Sequence, residues 1–512
     1  MSKFYITTAI DYANGDPHLG HALEKIGADA IARYRRLRGD QVHFLIGMDE
    51  HGQKVAQAAA EQGVPPQQLV DRIATVFQAM WDRLDISRDQ FIRTTNPAHK
   101  AGVRAFIERI REKNPDDFYE KTYEGWYCVG CELFKRKDEI VDGKCVLHPT
   151  RELAWTQERN WFFRLTRYEP FLKTLFAEHP EFLRPETRRN EILALLDQGL
   201  EDISITRSRL AWAIPFPFPT SDGVDQGTWV WFDALPNYIT AVGYPDPSYA
   251  DQWPAQLHVV GKDITRLHCV IWPAMLRAAD MPLPDAVWAH GFVSLGGERF
   301  SKSAGVKLEL GDAVDRYGAD AFRYFLTREV PFDGDGSFSW ERFEERYNAD
   351  LANAWGNLAS RSIAMVERYR GGTVPAAPRG ALDEADAADY ASYHSAMDGS
   401  RGYLLHEALR AVWLTVARGN EYVDRQAPWK LARDPAQSDA LDTTLGTLIR
   451  QLARQCVALQ PFMPTRTQAL WEQLGGPGAV ADQRLDGLAS LDAAGWTVRK
   501  GDPLFPKPAV PK

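Results

Sequence analysis

The first apolar run, Phe4 to Tyr12, is β-branched and aromatic and reads as a buried strand. Asn14-Gly15-Asp16-Pro17 then forms a turn that starts a helix, with Asp16 as N-cap and Pro17 at the first helical position. Apolar residues recur at helical spacing to about Leu37, and Arg38-Gly39-Asp40 ends the helix. Val42 to Gly47 is apolar almost throughout, as parallel strands covered on both faces are. Strand, helix and strand in this order predict a βαβ unit. Its first turn lies at the carboxyl end of the first strand, where open α/β sheets bind ligands.

Helical periodicity continues to about residue 113. A stretch over 116–225, carrying Trp155 and Trp161-Phe162-Phe163, closes on the proline-rich run from Ile214 to Gly223. Strand signals return at Thr228–Phe232, Leu257–Val260 and Val287–Val293, with a helix from Trp272 to Ala279 between the last two. The middle stretch therefore predicts an insert that splits one α/β domain. From about Ala349 the apolar spacing is helical (Leu351, Trp355, Leu358; Leu405, Leu409, Val412; Ile449, Leu452, Cys456, Leu459), with Gly371 to Asp386 a connector. The expected fold is α/β: a Rossmann-like parallel-sheet domain split by an insert with a metal knuckle, followed by an α-helical bundle. Its parts are 1–115, 116–225, 226–295, a loop-bearing region 296–348, and 349–512.

At 512 residues several domains are expected. No apolar run approaches the ~18 residues of a membrane span, and the start has no signal-peptide layout, so a cytoplasmic protein without a membrane partner is expected. A net charge of −9 argues against broad coating of nucleic acid. It leaves room for a shaped nucleic-acid partner met by local patches such as Arg188-Arg189 and Arg207 with Arg209.

Among five cysteines, Cys128 and Cys131 form one tight pair, and after thirteen intervening residues Cys145 and His148 form another. Gly130 and Gly143 supply the turns. Two such pairs match the ligand spacing of one tetrahedral zinc, and Cys3His leaves no open position, so the metal is expected to be structural.

His18-Leu19-Gly20-His21 opens the first helix. Residues three apart face the same way, so both imidazoles point over a helix N-terminus, where free N–H groups and the dipole favour phosphate. The pair can donate to charge developing on phosphate oxygens during an in-line displacement. Gly297-Glu298-Arg299-Phe300-Ser301-Lys302-Ser303 follows the last strand signal, and its cationic side chains beside small hydroxyls can fold over a triphosphate.

These motifs resemble the class I aminoacyl-tRNA synthetases and, among them, the methionyl-tRNA synthetase family. His18–His21 is similar to the "HIGH" signature and Arg299–Ser303 to "KMSKS". The likeness extends through AIDYANGDPHLGH, FLIGMDEHG, the single knuckle, SRLAWAIPFP, VWFDALPNY, GKDITRLHCVIWPAML, NLASR and QAPW. It implies ATP-dependent activation of L-methionine, with Mg2+ accompanying the ATP, and transfer to elongator and initiator methionine tRNAs.

Carried over by position, the resemblance implies catalytic roles for His18, His21 and Lys302, and ATP binding by these three with Gly261, Asp263 and Arg299. Asp49 would take the substrate's ammonium. Ile10, Tyr12, Trp231, Ala234, Tyr238, Ile264, His268 and Trp272 would line the side-chain pocket, and an aromatic pocket suits a thioether. Asn357, Arg361 and Trp429 would read the anticodon. The departures are Arg299-Phe300 for Lys-Met, Leu235-Pro236 with its proline one place late, and Asp11, which puts an unexpected charge near the methionine site. Lack of the C-terminal domain appended in some relatives makes a monomer the expectation. Competing readings are a synthetase for another amino acid and an inactive RNA-binding paralogue; the isoleucine and valine enzymes carry an editing domain larger than this insert.

Overall fold

The computed structural model describes residues 2–128, 133–135, 139–146, 148–208, 210–295, 298–299 and 310–506, with backbone alone at 123, 133, 134, 148, 151, 298 and 299. The central sheet is parallel. Its order runs Leu183–Arg184, Val287–His290, Leu257–Gly261, β1 (Lys3–Thr8) and β3 (Gln41–Asp49), and both β2 (Asp11–Tyr12) and β4 (Gln90–Arg93) pair with β3. Chain order reverses direction at β1, because β3 follows on one side and Leu257–Gly261 on the other. That reversal opens a crevice at the carboxyl end of β1.

Alternation along β1 explains its apolar run. Phe4 and Ile6 face the core shared with α1 (Leu19–Arg38), while Tyr5 faces the opposite core beside Leu45 and Val260. The expected strand Phe4–Tyr12 breaks after Thr8, and Asp11–Tyr12 pairs afresh with Met48–Asp49. β4 carries no sequence signal strong enough to find it, since Gln90-Phe91-Ile92-Arg93 has two apolar residues at the sheet edge.

The first helix is capped by His18, not by Asp16 as the turn chemistry suggests. His18 Nδ1 accepts the Gly20 N–H at 3.1 Å, and His21 Nδ1 accepts the His18 N–H at 3.3 Å. Two imidazoles thus do what Asp16 would do, two residues further along the chain. At the other end Gly39 adopts the left-handed conformation, φ 92°, that closes the helix.

Two further strand expectations are corrected. Trp231 and Phe232 lie on a short helix, Val230–Ala234, preceded by a two-residue strand, Gly227–Thr228. Aromatic residues favour strands because of what they pack against, and here one helical turn sets Trp231 and Ala234 on one side. The run Val287–Val293 divides at Gly291, where a Cβ would fall 1.9 Å from the Gly334 carbonyl oxygen. Val287–His290 stays in the main sheet, and Val293–Leu295 joins Gly336–Phe338 in a small separate sheet.

Within 116–225 a long hairpin, Phe118–Cys128 with Ala154–Phe163, carries the knuckle at its tip. Leu183–Arg184, from the same stretch, joins the edge of the central sheet. Arg207 is buried, donating to the carbonyls of Ser204 and Thr206, so it forms no surface patch; Arg209 lies outside the described residues.

The helices Asn357–Arg370, Ala381–Met397, Leu405–Gln426, Ser438–Leu459 and Pro464–Leu474 form the C-terminal unit. The connector ends at Gly380, since Ala381–Met397 is already helical. One continuous core joins α1 to this unit through Trp355, Leu358 and Trp471. A buried ion pair, Asp29 Oδ2 to Arg323 Nη2 at 2.6 Å, ties α1 to the helix Ala319–Glu329. Arg323 also donates to the carbonyls of Pro461 and Phe462.

Candidate active site

The crevice at the end of β1 gathers most of the expected site residues. His18 and His21 lie stacked, ring centroids 3.7 Å apart and planes inclined by 20°. Because each Nδ1 accepts a backbone N–H, the neutral rings carry their proton on Nε2. Gly20 fits between them because a Cβ there would sit 3.1 Å from His18 Cε1.

Tyr12 pairs in register with Asp49, and the Ala13 N–H donates to the Asp49 carbonyl at 2.9 Å. Asp49 is 4% exposed. Gly47, on the same strand, lets Ile10 in close: a Cβ would lie 3.0 Å from Ile10 Cγ2. Lys54 Nζ stands 5.1 Å from the Tyr12 ring centroid.

The other wall comes from two helical segments. Leu267–Ile271 is a π-helical turn running into Trp272–Ala278, and such turns often mark functional sites. His268 Nε2 and Tyr238 Oη are 2.7 Å apart, and Tyr238 and Trp272 have ring centroids 6.1 Å apart. His268 Nδ1 lies 3.1 Å from the Ile264 carbonyl. This fixes the proton on Nδ1 and leaves Nε2 to accept from the Tyr238 hydroxyl. Burial holds His268 down to about 4 and pushes the Tyr238 phenol up, so both stay neutral. The result is a wall of rings with one internal hydrogen bond. Trp231, Ile264 and Ile10 are partly buried against the same core, and Ala234 is buried, its carbonyl accepting from Asn237.

Gly261 ends its strand two residues before Asp263, and a Cβ on Gly261 would meet Asp263 Oδ1 at 2.6 Å. Burial raises the Asp263 carboxyl. Lys302 and the side chain of Arg299 lie outside the described residues, as do Cys131 and the side chain of His148. Cys128, at the end of its strand, and Cys145, whose strand pairs with His148 in register, are both buried.

Asn357 and Arg361 sit on one side of Asn357–Arg370, and Arg361 pairs with Asp424 at 3.1 Å. Asp424 lies near the end of Leu405–Gln426, and Trp429 opens the short helix that follows, 38% exposed.

The charge of Asp11 is not left unbalanced beside the site. Lys25, one turn beyond His21, donates to Asp11 Oδ1 at 2.7 Å, to Glu24 Oε1 at 2.7 Å and to the Ala9 carbonyl at 2.9 Å. Sequence reading gave Lys25 no role, because nothing local marks it apart from the polar positions of an ordinary helix.

The family model "tRNA synthetases class I (M)" matches residues 4–154 and 137–363, and "Anticodon binding domain of methionyl tRNA ligase" matches 371–508. The chain belongs to the methionyl-tRNA synthetases of class I. It is 42% identical over 519 residues to the methionine–tRNA ligase of Brucella suis, spanning 99% of this chain and 98% of that protein. It is 40% identical over 515 residues to the ligase of Thermotoga maritima, spanning 99% of this chain and 80% of that one. A solved structure, Mycobacterium tuberculosis methionyl-tRNA synthetase in complex with methionyl-adenylate, superposes with a TM-score of 0.93 at 39% identity, covering 99% of this chain and all of that one. Within this synthetase family the α/β catalytic unit and the helical C-terminal unit are thus those of an aminoacyl-tRNA ligase.

Proposed function

We infer that the protein is a methionine–tRNA ligase that activates L-methionine with ATP and charges methionine tRNA. The observation that carries this reading is the stacked His18–His21 pair at the start of α1, the helix that leaves the carboxyl end of the central strand β1; the ring cluster of Tyr238, His268 and Trp272 supports it. The Mycobacterium tuberculosis relative is described as bound to methionyl-adenylate, the intermediate of this reaction.

A carboxylate oxygen of methionine attacks the α-phosphorus of ATP, a P–O bond forms, and the bond to pyrophosphate breaks. His18 and His21 donate from Nε2 to the phosphate oxygens as charge grows there. Asp49 takes the substrate ammonium, and Gly261 and Asp263 lie against the ribose. Lys302 and Arg299 hold the departing pyrophosphate; Mg2+ entering with the ATP would supply charge neutralisation at its phosphates. The 3′-terminal hydroxyl of the tRNA then attacks the methionyl carbonyl, forming the ester and releasing AMP.

The pocket of Ile10, Tyr12, Trp231, Ala234, Tyr238, Ile264, His268 and Trp272 suits an unbranched thioether, whose sulfur gains roughly 0.3–1.5 kcal/mol per ring contact. Asn357, Arg361 and Trp429 meet the anticodon, with Trp429 stacking on an unpaired base.

Cys128, Cys131, Cys145 and His148 would hold one structural zinc. Support comes from the chemistry of the donor set and from the burial of Cys128 and Cys145 in a small, polar knuckle. When bound, the metal staples the knuckle and takes no part in phosphoryl transfer. The protein works in the cytoplasm, where its tRNA is; among the described residues no helix is long and apolar enough to cross a membrane.

Methionine-dependent exchange of labelled pyrophosphate into ATP tests the reading. Exchange with methionine, and not with isoleucine, valine, leucine or cysteine, is expected. Exchange with another of these, or with none, overturns the substrate or the activity.

A further inference from the structure

Lys25 is fully buried, and its three donor contacts are all within hydrogen-bond distance of oxygen: the Ala9 carbonyl, Asp11 Oδ1 and Glu24 Oε1. A buried ammonium is costly unless paired and hydrogen-bonded, so this geometry is held together as a unit. Glu24 extends it, with Oε2 lying 3.2 Å from His290 Nε2 at the end of a central strand. His290 in turn stacks on Phe332, ring centroids 5.7 Å apart.

Two of the three acceptors belong to the segment Ala9–Ala13, which carries Ile10 and Tyr12. The segment is tied to the sheet by backbone contacts on either side of Ile10. Ala9 donates to the Val259 carbonyl at 3.1 Å, Ala13 donates to the Asp49 carbonyl, and β2 contributes two residues of parallel pairing. Lys25 adds two grips from α1, the helix whose first turn holds His18 and His21.

We propose that Lys25 is a positioning residue for the amino-acid site: through Ala9 and Asp11 it sets the height of Ile10 and Tyr12 against Asp49 on β3. This proposal rests on the methionine-activating reading. Burial opposes the charge of Lys25, but Asp11 and Glu24 outweigh it and hold the ammonium above its usual range. Burial lifts Asp11 to about 7 against the pull of Lys25, so the Lys25–Glu24 pair keeps its charges while Asp11 is the softer partner.

Steady-state pyrophosphate exchange tests this with Lys25→Met, Lys25→Arg and Asp11→Asn on the full chain, reading KM for methionine and for ATP separately. Lys25→Met strips the donors from the Ala9 carbonyl and both carboxylates, and the KM for methionine should rise about 10–30-fold with the KM for ATP within about threefold. Asp11→Asn keeps the acceptor and should stay within about threefold of the unaltered chain in methionine KM; Lys25→Arg keeps the charge but overpacks a fully buried site, so its methionine KM should rise by an intermediate amount, about 3–10-fold. If Lys25→Met does not fold, Asp11→Ala replaces it, with methionine KM raised about 3–10-fold and ATP KM unchanged. An unchanged methionine KM, or methionine and ATP KM values rising together, overturns the proposal. Absence of exchange in the unaltered chain refutes the activity itself, and the proposal with it, before any variant is compared.

Discussion

His18 Nδ1 accepts the N–H of Gly20, while His21 Nδ1 accepts the N–H of His18, so one backbone turn holds both imidazoles in the same tautomer. Phosphate chemistry and helix capping are therefore tied to the same atoms. His18→Ala should slow adenylate formation about 10²–10³-fold and also remove the cap, costing about 1 kcal/mol of stability. His18→Asn should lose the rate and keep the stability, because asparagine caps helices well. Pyrophosphate exchange read beside thermal unfolding separates the two effects. Equal stability loss in both variants would mean the cap is not made by this side chain.

Trp429 lies in a short helix beyond Asp424, the partner of Arg361, and is 38% exposed. Trp429→Ala should weaken tRNA charging about 5–150-fold, the range of losing one base–aromatic stack of ~1–3 kcal/mol. Methionine-dependent exchange without tRNA should not change. Loss of both would make Trp429 a structural residue.

The domain frame was legible because its signals are local. Phe4–Thr8, Val42–Gly47 and the turn between them announce a βαβ unit from apolar runs and turn residues alone. His18 and His21 could be read as a pair because helical spacing brings residues three apart together. What failed to show depended on distant contacts. Asp11 looked like a stray charge because its partner is fourteen positions away and meets it through the packing of α1 against β1 and β2. Trp231 and Phe232 looked like strand residues, yet the core they fill accepts them from a helix. Gly291 ended a strand early because a backbone from residue 334 passes too close for any side chain.

Asp29 and Arg323 are wholly buried and join α1 to the helix Ala319–Glu329 and to the turn at Pro461-Phe462. Burial raises the Asp29 carboxyl, but Arg33 and Arg323 outweigh it and bring it down to about 2. Because the folded value lies below the unfolded one, this contribution is complete above about pH 4 and is lost as pH falls toward 2, a difference of about 2 kcal/mol. Asp29→Asn should flatten the acid limb of the unfolding curve between those values. Arg323→Met should cost about 3–5 kcal/mol, the usual result of breaking a buried pair from one side. A shift under 1 kcal/mol in denaturant unfolding would show that the pair is dispensable.

The knuckle should hold one zinc per chain, read by elemental analysis of the purified protein. Cys145→Ser should lose the metal and open the 126–155 segment to proteolysis while the central sheet stays protected. Structural zinc in small fingers contributes roughly 10–16 kcal/mol of apparent binding energy, so its removal should need a strong chelator and should raise the same cleavage. A metal-free protein with an intact, protected knuckle would refute the ligand set.

Pyrophosphate exchange with methionine and no tRNA present asks the most of the site at once, since it needs His18 and His21 over the phosphates and the ring wall around the thioether. Strong exchange with methionine, and with none of isoleucine, valine, leucine or cysteine, is expected. Exchange with a different amino acid would contradict the pocket assignment, and no exchange at all would contradict the activity.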